Sequence, residues 1–274
     1  MIVKKYLLVI LYLLFLPGLR LLFSAESNER EFTFMDENQK MIKEFTLASF
    51  KKNFKEQDVN VYNYVSQKIE IYRAFDLSKI LDHVYGRNKW RNSFALVTIS
   101  TDQYAPFIQK KIYTQLRPYL AFARSDGKEF ENKKSFSKGS ISLAPYYIIW
   151  KSPRSTGNLK KVRDHWPWKI NKLFILPNEP KELAATSPNF IAGKKTFLNH
   201  CIACHSINGI GGTKGGDVVK LIKTKNLTDE YLEQYILDPR ISFPKSKMPR
   251  FPIYLDEKKV KIKEVIQYIK DKTK

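Results

Sequence analysis

The sequence predicts an α+β domain over residues 26–176 followed by an all-α domain over residues 184–274. Three observations carry this. Up to Leu176, short β-rich runs are mixed with amphipathic stretches. Leu176-Pro177-Asn178-Glu179-Pro180 then interrupts all periodicity with two prolines and polar residues, so residues 177–183 read as a linker. Beyond about Ala184 the text is nearly all helix and loop, and that part holds both cysteines.

In the first domain the β-rich runs are Lys68 to Phe75, Phe94 to Ser100, Tyr146 to Trp150 and Ile170 to Leu176. Between the first two, Leu77, Ile80, Leu81 and Val84 recur at helical spacing and stop at Gly86, which predicts a helix with a glycine at its C-terminal end. Tyr146, Tyr147 and Trp150 read as a buried strand. In the second domain Thr228 is the expected cap of a helix through Leu237, with Asp229 and Glu230 in its first turn and Pro239 ending it. Ile262, Val265, Ile266 and Ile269 form a buried stripe on a last helix.

With 43% hydrophobic residues the chain can bury a sizeable core, which excludes a disordered protein. The net charge of +21 is spread along the whole length, with no basic block of the kind that binds nucleic acid. Its field should attract acidic partner proteins or anionic lipid head groups, and salt should weaken that attraction.

Residues 1–25 have Lys4 and Lys5, an apolar run from Tyr6 to Leu16, a break at Pro17-Gly18, and Phe23-Ser24-Ala25 before the first acidic residues. This is the layout of a secretory signal peptide, with an uncleaved membrane anchor as the other reading. Either reading predicts export to the periplasm.

Only two cysteines exist, so a disulfide scaffold is excluded. They lie in Cys201-Ile202-Ala203-Cys204-His205. Two thiols at this spacing match the two vinyl groups of a haem, and the histidine that follows at once can reach the iron. A thioredoxin-like pair would need a strand before the motif, and a zinc site would need a second pair of ligands. One covalent haem c is the prediction, with Cys201 and Cys204 as attachment points and His205 on the iron. For the iron's other face the candidate is Met248, followed by Pro249 in a loop between two helices. Met35 and Met41 fall in the first domain. His200 would have to fold back and reads as a solvated or capping residue; His83 and His165 belong to the first domain.

Residues 184–274 resemble a small bacterial class I cytochrome c. Gly193-Lys194-Lys195-Thr196-Phe197 matches the Gly-x-x-x-Phe of that family's first helix, where the glycine lets another helix approach. Tyr268 stands where the family puts a crossing aromatic, and Gly211, Gly212, Gly215 and Gly216 read as the flexible loop after the histidine. The family often uses a proline there to accept the imidazole's second proton. Here the first proline after His205 is Pro239, so a backbone carbonyl near Gly211 is the expected acceptor.

A weaker resemblance covers Lys68 to Trp150. Leu77-Ser78-Lys79-Ile80-Leu81-Asp82-His83-Val84, Ala95 to Tyr104, Tyr119 to Gly127 and Ala144-Pro145-Tyr146-Tyr147 are similar to the molybdopterin-binding domain of sulfite-oxidase-like enzymes, which implies a mixed sheet. The family's metal-binding cysteine is missing, and its Asp-Gly-Tyr reads Asp102-Gln103-Tyr104. Molybdopterin is therefore not expected, and Asp102, Arg124 and Asp126 read as turn and surface residues.

These readings converge on a periplasmic single-electron carrier rather than an enzyme. An oxidoreductase whose first domain feeds the haem through molybdopterin, and a haem subunit of a larger respiratory complex, are the alternatives.

Overall fold

The computed structural model describes residues 30–63, 68–130, 133–135, 139–151, 166–252 and 256–274. The export segment at residues 1–25 and His165 lie outside the described residues.

The first part of the chain runs β1 (Glu31–Met35), β2 (Met41–Thr46), α1 (Leu47–Asn53), β3 (Glu56–Asn63), β4 (Lys68–Asp76), α2 (Leu77–Tyr85), α3 (Arg87–Arg91), β5 (Ala95–Ser100), β6 (Phe107–Gln109), α4 (Lys110–Tyr113), β7 (Arg117–Arg124), β8 (Lys133–Ser135), β9 (Gly139–Ile141), β10 (Tyr147–Lys151) and β11 (Ile170–Leu176). The four strands read from the sequence are β4, β5, β10 and β11, each within a residue of its expected bounds. Strands β1 to β3 carry weaker patterns. In β2 the first four residues, Met41 to Glu44, are all exposed, so no alternation marks it. In β3, among the described side chains, only Val59 and Val61 are buried.

One sheet has the order β2-β1-β11-β5-β6, with β1 parallel to β11 and the other neighbours antiparallel. The second is antiparallel, β10-β7-β4-β3. The first part is therefore α+β with a mixed sheet. The sheets enclose a core in which Phe32, Phe34, Leu96, Leu173 and Ile175 meet Phe75, Leu120, Ile148 and Trp150. Helix α2 buries Leu77, Ile80 and Leu81 in it; Asp76 caps its first turn by accepting from the Ser78 amide, and Gly86 ends it at φ +79°.

The five-stranded sheet is apolar on both faces. Along β11, Leu173 and Ile175 enter the inner core, while Phe174 and Leu176 point to the opposite side, and β5 splits Leu96 from Ala95 and Val97 in the same way. Two-sided burial explains why these strands read as near-continuous apolar runs. The outer face is covered by the rest of the chain: Phe174, Leu176, Val97 and Phe107 share one cluster with Phe197, Leu198, Ile202, Val265 and Tyr268. The segment 177–183 holds turns only, and Leu183 is buried in that same cluster.

After a 3-10 turn at Pro188–Phe190 come α5 (Ile191–His200), β12 (Ser206–Ile207), β13 (Ile210–Gly211), α6 (Val218–Lys225), α7 (Asp229–Leu237), α8 (Pro239–Ser242) and α9 (Lys258–Asp271). This part is helical apart from the two-residue hairpin β12–β13, a small departure from the all-α expectation that follows from the turn after His205 closing on itself. Thr228 caps α7 by accepting from the Tyr231 amide. Pro239 does more than end that helix. Asp238 stops α7 and caps α8, where proline occupies the first position because its missing N–H costs nothing there. The stripe Ile262, Val265, Ile266 and Ile269 is buried on α9 as its spacing predicts. Among the described residues no helix is long and apolar enough to cross a membrane.

Candidate haem centre

Helices α5 and α9 cross at Gly193. A Cβ there would stand 2.0 Å from the Glu264 carbonyl oxygen and 2.8 Å from the Tyr268 Cβ, so only glycine permits this approach. Tyr268 is fully buried at the crossing, and its hydroxyl donates to the Leu183 carbonyl at 2.8 Å. The crossing fixes α5, and α5 delivers the cysteine motif at its C-terminal end.

The chain leaves α5 in a tight turn. The amides of Cys201 and Ile202 both donate to the Phe197 carbonyl at 2.9 Å, and those of Cys204 and His205 both donate to the Cys201 carbonyl at 3.0 Å. This turn brings Cys201, Cys204 and His205 together. Both cysteines are half-buried and lie outside any disulfide. Burial, with the nearby Cys204 adding to it, pushes the Cys201 thiol up to about 12, so in the absence of haem it stays protonated at neutral pH.

His205 is held by the loop that follows. Its Nδ1 lies 3.3 Å from the Gly216 carbonyl oxygen, which also accepts from the Ser206 amide at 3.2 Å. The acceptor is thus a backbone carbonyl, at Gly216 rather than near Gly211. The imidazole ring rests on Gly215, where a Cβ would meet ring atoms at 2.4–2.7 Å. Desolvation lowers the histidine's pKa despite the carbonyl contacts, which favours the neutral ring. With Nδ1–H donating to Gly216, the neutral tautomer presents the Nε2 lone pair, the atom an iron would need. Three of the four glycines read as a flexible loop are instead close-contact positions: a Cβ at Gly211 would stand 2.3 Å from the His205 oxygen and one at Gly212 2.2 Å from the Ala203 oxygen, while Gly216 is set apart by its φ of +76°.

Asp217 locks the loop's far end. It caps α6 by accepting from the Val219 and Lys220 amides, and its other oxygen accepts from the Gly209 amide at 2.8 Å and from Ser206 Oγ at 3.2 Å. Sequence reasoning passed over Asp217, although an aspartate directly before Val218-Val219 is an N-cap signal.

Met248 stands in a different loop, between α8 and α9, and is half-buried. Its amide donates to Ser246 Oγ at 3.2 Å, and Ser246 Oγ is 3.2 Å from the Tyr235 hydroxyl on α7. Phe251 ties this loop to the cysteine motif, since its ring meets that of His200 edge-on at 6.0 Å. His200 is accordingly half-buried against an aromatic ring at the last turn of α5. Met35 is buried in the core shared by the two parts of the chain, and Met41 is exposed on β2. His83 is exposed on α2, with Nε2 3.0 Å from Lys43 Nζ.

Residues 190–271 match the family model of cytochrome c. The match supports a cytochrome c domain at this end of the chain, and with it covalently bound haem c and an electron-transfer role. The matched span contains both cysteines, His205, the Gly193 crossing and Met248. Comparison with curated proteins returns no match for the chain.

The turn Asp102-Gln103-Tyr104 of the first part lies against the cytochrome c domain. Gln103 keeps φ at +69°, the left-handed conformation that glycine would adopt freely, at a cost on the order of 1–2 kcal/mol. From the next residue the Ala105 amide donates to the Ala203 carbonyl at 2.8 Å, inside the cysteine motif. Asp126 stays a turn residue, accepting from the Lys128 amide and pairing with Arg124 at 3.4 Å. No sequence signal marked the Ala105 contact, because it is made by a backbone amide.

Proposed function

We propose that the protein is an exported monohaem cytochrome c of the class I type that carries one electron. In this reading Cys201 and Cys204 hold the haem by thioethers and His205 and Met248 ligate its iron. The observation that carries it is the posture of His205: ring seated on Gly215, Nδ1 engaged by Gly216, Nε2 available, directly after two thiols in one turn. Bound haem would supply the Fe(III)/Fe(II) couple. The protein's own part is to orient the imidazole, fix its tautomer, and keep the surroundings apolar with Ile202, Ile207 and Val219.

The +21 charge supports acidic redox partners, and Ile241 and Phe243 lie exposed beside Lys245 and Lys247 on the Met248 side of the domain. The signal-like residues 1–25 support a periplasmic location, cleaved or membrane-anchored. The order of elements from β4 to β10 supports a sulfite-oxidase-like scaffold for residues 26–176. The absence of a cysteine there argues against a molybdenum thiolate.

The test is spectroscopic. Cys201→Ala and Cys204→Ala should each abolish stable holoprotein in a host that matures c-type haem; wild-type yield of covalent haem in both would reject the assignment. Oxidised wild-type protein should show the weak far-red band of histidine/methionine ligation, and Met248→His should remove it and lower the potential. A spectrum unchanged in Met248→His would point to another ligand.

The direct contact of the first domain with Ala203 favours one second reading, in which that domain oxidises a small substrate and passes electrons to the haem. About one molybdenum per haem in purified protein, with substrate-dependent haem reduction, would establish it over the carrier.

A further inference from the structure

The first domain touches the haem motif through a turn that is rigid by construction. At the end of β5, Ser100 Oγ donates to Asp102 Oδ1 at 2.8 Å and accepts from the Tyr104 amide at 2.9 Å. The amides of Ser100 and Gln103 close the turn on Tyr104 and Ser100 carbonyls, also at 2.9 Å. The Thr101 amide is tied to the Lys169 carbonyl at 2.8 Å, anchoring the turn to the neighbouring strand.

Contacts leave this turn for the residue before Cys204 and for the residue before Gly215. Ala105 donates to Ala203, the residue before Cys204. Asp102 takes Lys214, whose Nζ lies 3.3 Å from the Asp102 carbonyl oxygen and 3.7 Å from Oδ2, and 4.4 Å above the centre of the Tyr104 ring. Lys214 is followed at once by Gly215, on which the His205 ring rests, and by Gly216, whose carbonyl faces Nδ1.

These polar contacts are not what holds the two parts of the chain together. That work falls to the apolar cluster of Phe174, Leu176, Val97 and Phe107 with Phe197, Ile202 and Tyr268. Both members of the Asp102–Lys214 pair are about one-third exposed, and pairs of that kind add little to stability. A weak contact aimed at the residue beside an imidazole's support has its effect on position. The hydrogen bond at Nδ1 governs how basic the imidazole is and so how well it stabilises ferric iron.

We propose that the first domain is a clamp for the histidine side of the haem, with Asp102 and Lys214 as positioning residues that hold the Gly215-Gly216 segment against His205. The proposal rests on His205 being the iron ligand. It gives residues 26–176 a role that needs no cofactor of their own.

The test compares Asp102→Asn, Lys214→Gln and the swapped pair Asp102→Lys/Lys214→Asp as full-length holoproteins. The readouts are midpoint potential and the paramagnetically shifted ring protons of His205. If the pair acts only as charge, Asp102→Asn must raise the potential and Lys214→Gln must lower it. If it acts by position, both single variants weaken the support of Nδ1. Both then raise the potential and move the ring-proton shifts, while the swapped pair returns towards wild type. Shifts of opposite sign, or no shift in either single variant, would overturn the clamp. A wild-type protein in which His205 gives no paramagnetically shifted ring protons would instead overturn the ligand assignment, so the two failures are distinguishable.

Discussion

Two loops of the cytochrome c domain carry the expected iron ligands' surroundings, and they are built differently. The loop from Ser206 to Asp217 is braced along its length: a short hairpin, the Asp217 cap, the Gly216 carbonyl with two donors, and a contact from the first domain at Lys214. In the loop after Phe243 the fixings among the described residues gather at Ser246, Arg250 and Phe251, and Met248 itself is held through its amide. They are the Ser246 amide on the Phe243 carbonyl at 2.8 Å, Ser246 Oγ with Tyr235 and the Met248 amide, the Arg250–Asp238 ion pair at 2.7 Å, the Phe251 amide on the Ile236 carbonyl at 3.3 Å and the Phe251 ring against His200. The difference teaches that the histidine side is preorganised and that the methionine side is where a ligand would be exchanged first.

The largest effect should come from the braced side. In Gly215→Ala the new Cβ would fall within 2.4–2.7 Å of the His205 ring, so the ring must leave its seat or the backbone must move. We expect about 1–3 kcal/mol of destabilisation and loss of holoprotein, checked by haem content after purification. Normal yield with an unperturbed spectrum would show that the loop is softer than its contacts imply.

Ser246→Ala should do less. It removes one hydroxyl that serves both Tyr235 and the Met248 amide. A loss of about 1 kcal/mol corresponds to methionine being displaced by added imidazole at roughly fivefold lower concentration, with the far-red band otherwise retained. Titration of the oxidised protein with imidazole measures this, and an unchanged midpoint would mean that the serine does not fix the loop. Arg250→Ala should change the same titration by less than about twofold, since Arg250 is 58% exposed.

What the sequence made legible follows from how each feature is encoded. Strands β5 and β11 are buried on both faces and so appear as apolar runs, and the α9 stripe repeats at helical spacing. The cysteine motif is local, so its chemistry could be read from five residues. What covers the outer face of the sheet could not be read, because Phe174 and Leu176 have the same sequence character whether they meet a helix of their own domain or α5 and α9 of the next. Likewise Ala105, Gly216 and Lys214 act through backbone groups and through place. Gln103 stands where an Asp-Gly-Tyr turn has glycine, and the turn keeps the left-handed conformation and bears its strain.

The smallest prediction tests the braced histidine side by pH, and it concerns the protein made without haem. Desolvation lowers the His205 pKa in the folded state below that of the free side chain, whose ordinary value is 6.5. Between the lowered value and 6.5 the unfolded chain therefore binds more protons than the folded one, and stability must rise with pH across that window. Equivalently, the contribution of neutral His205 is present above about 6.5 and is lost as pH falls towards the lowered value. Cys201 works in the opposite direction. Its thiol is raised from 9.0 to about 12, so stability falls as pH rises past 9, where the unfolded chain ionises and the folded one does not. Denaturant midpoints of the apoprotein should thus decline on both sides of a plateau between about 6.5 and 9. Replacing His205 with Gln should flatten the acid limb alone, and Cys201→Ala should flatten the alkaline limb between about 9 and 10, above which the tyrosines that burial also raises, among them Tyr72, Tyr85, Tyr147 and Tyr268, add a decline of their own. On the proposed ligation both groups are engaged in holoprotein, one on iron and one in a thioether, and these two contributions should disappear. An acid limb that survives in His205→Gln would mean that other groups set it and that the histidine is not buried in the apoprotein as the braced loop requires.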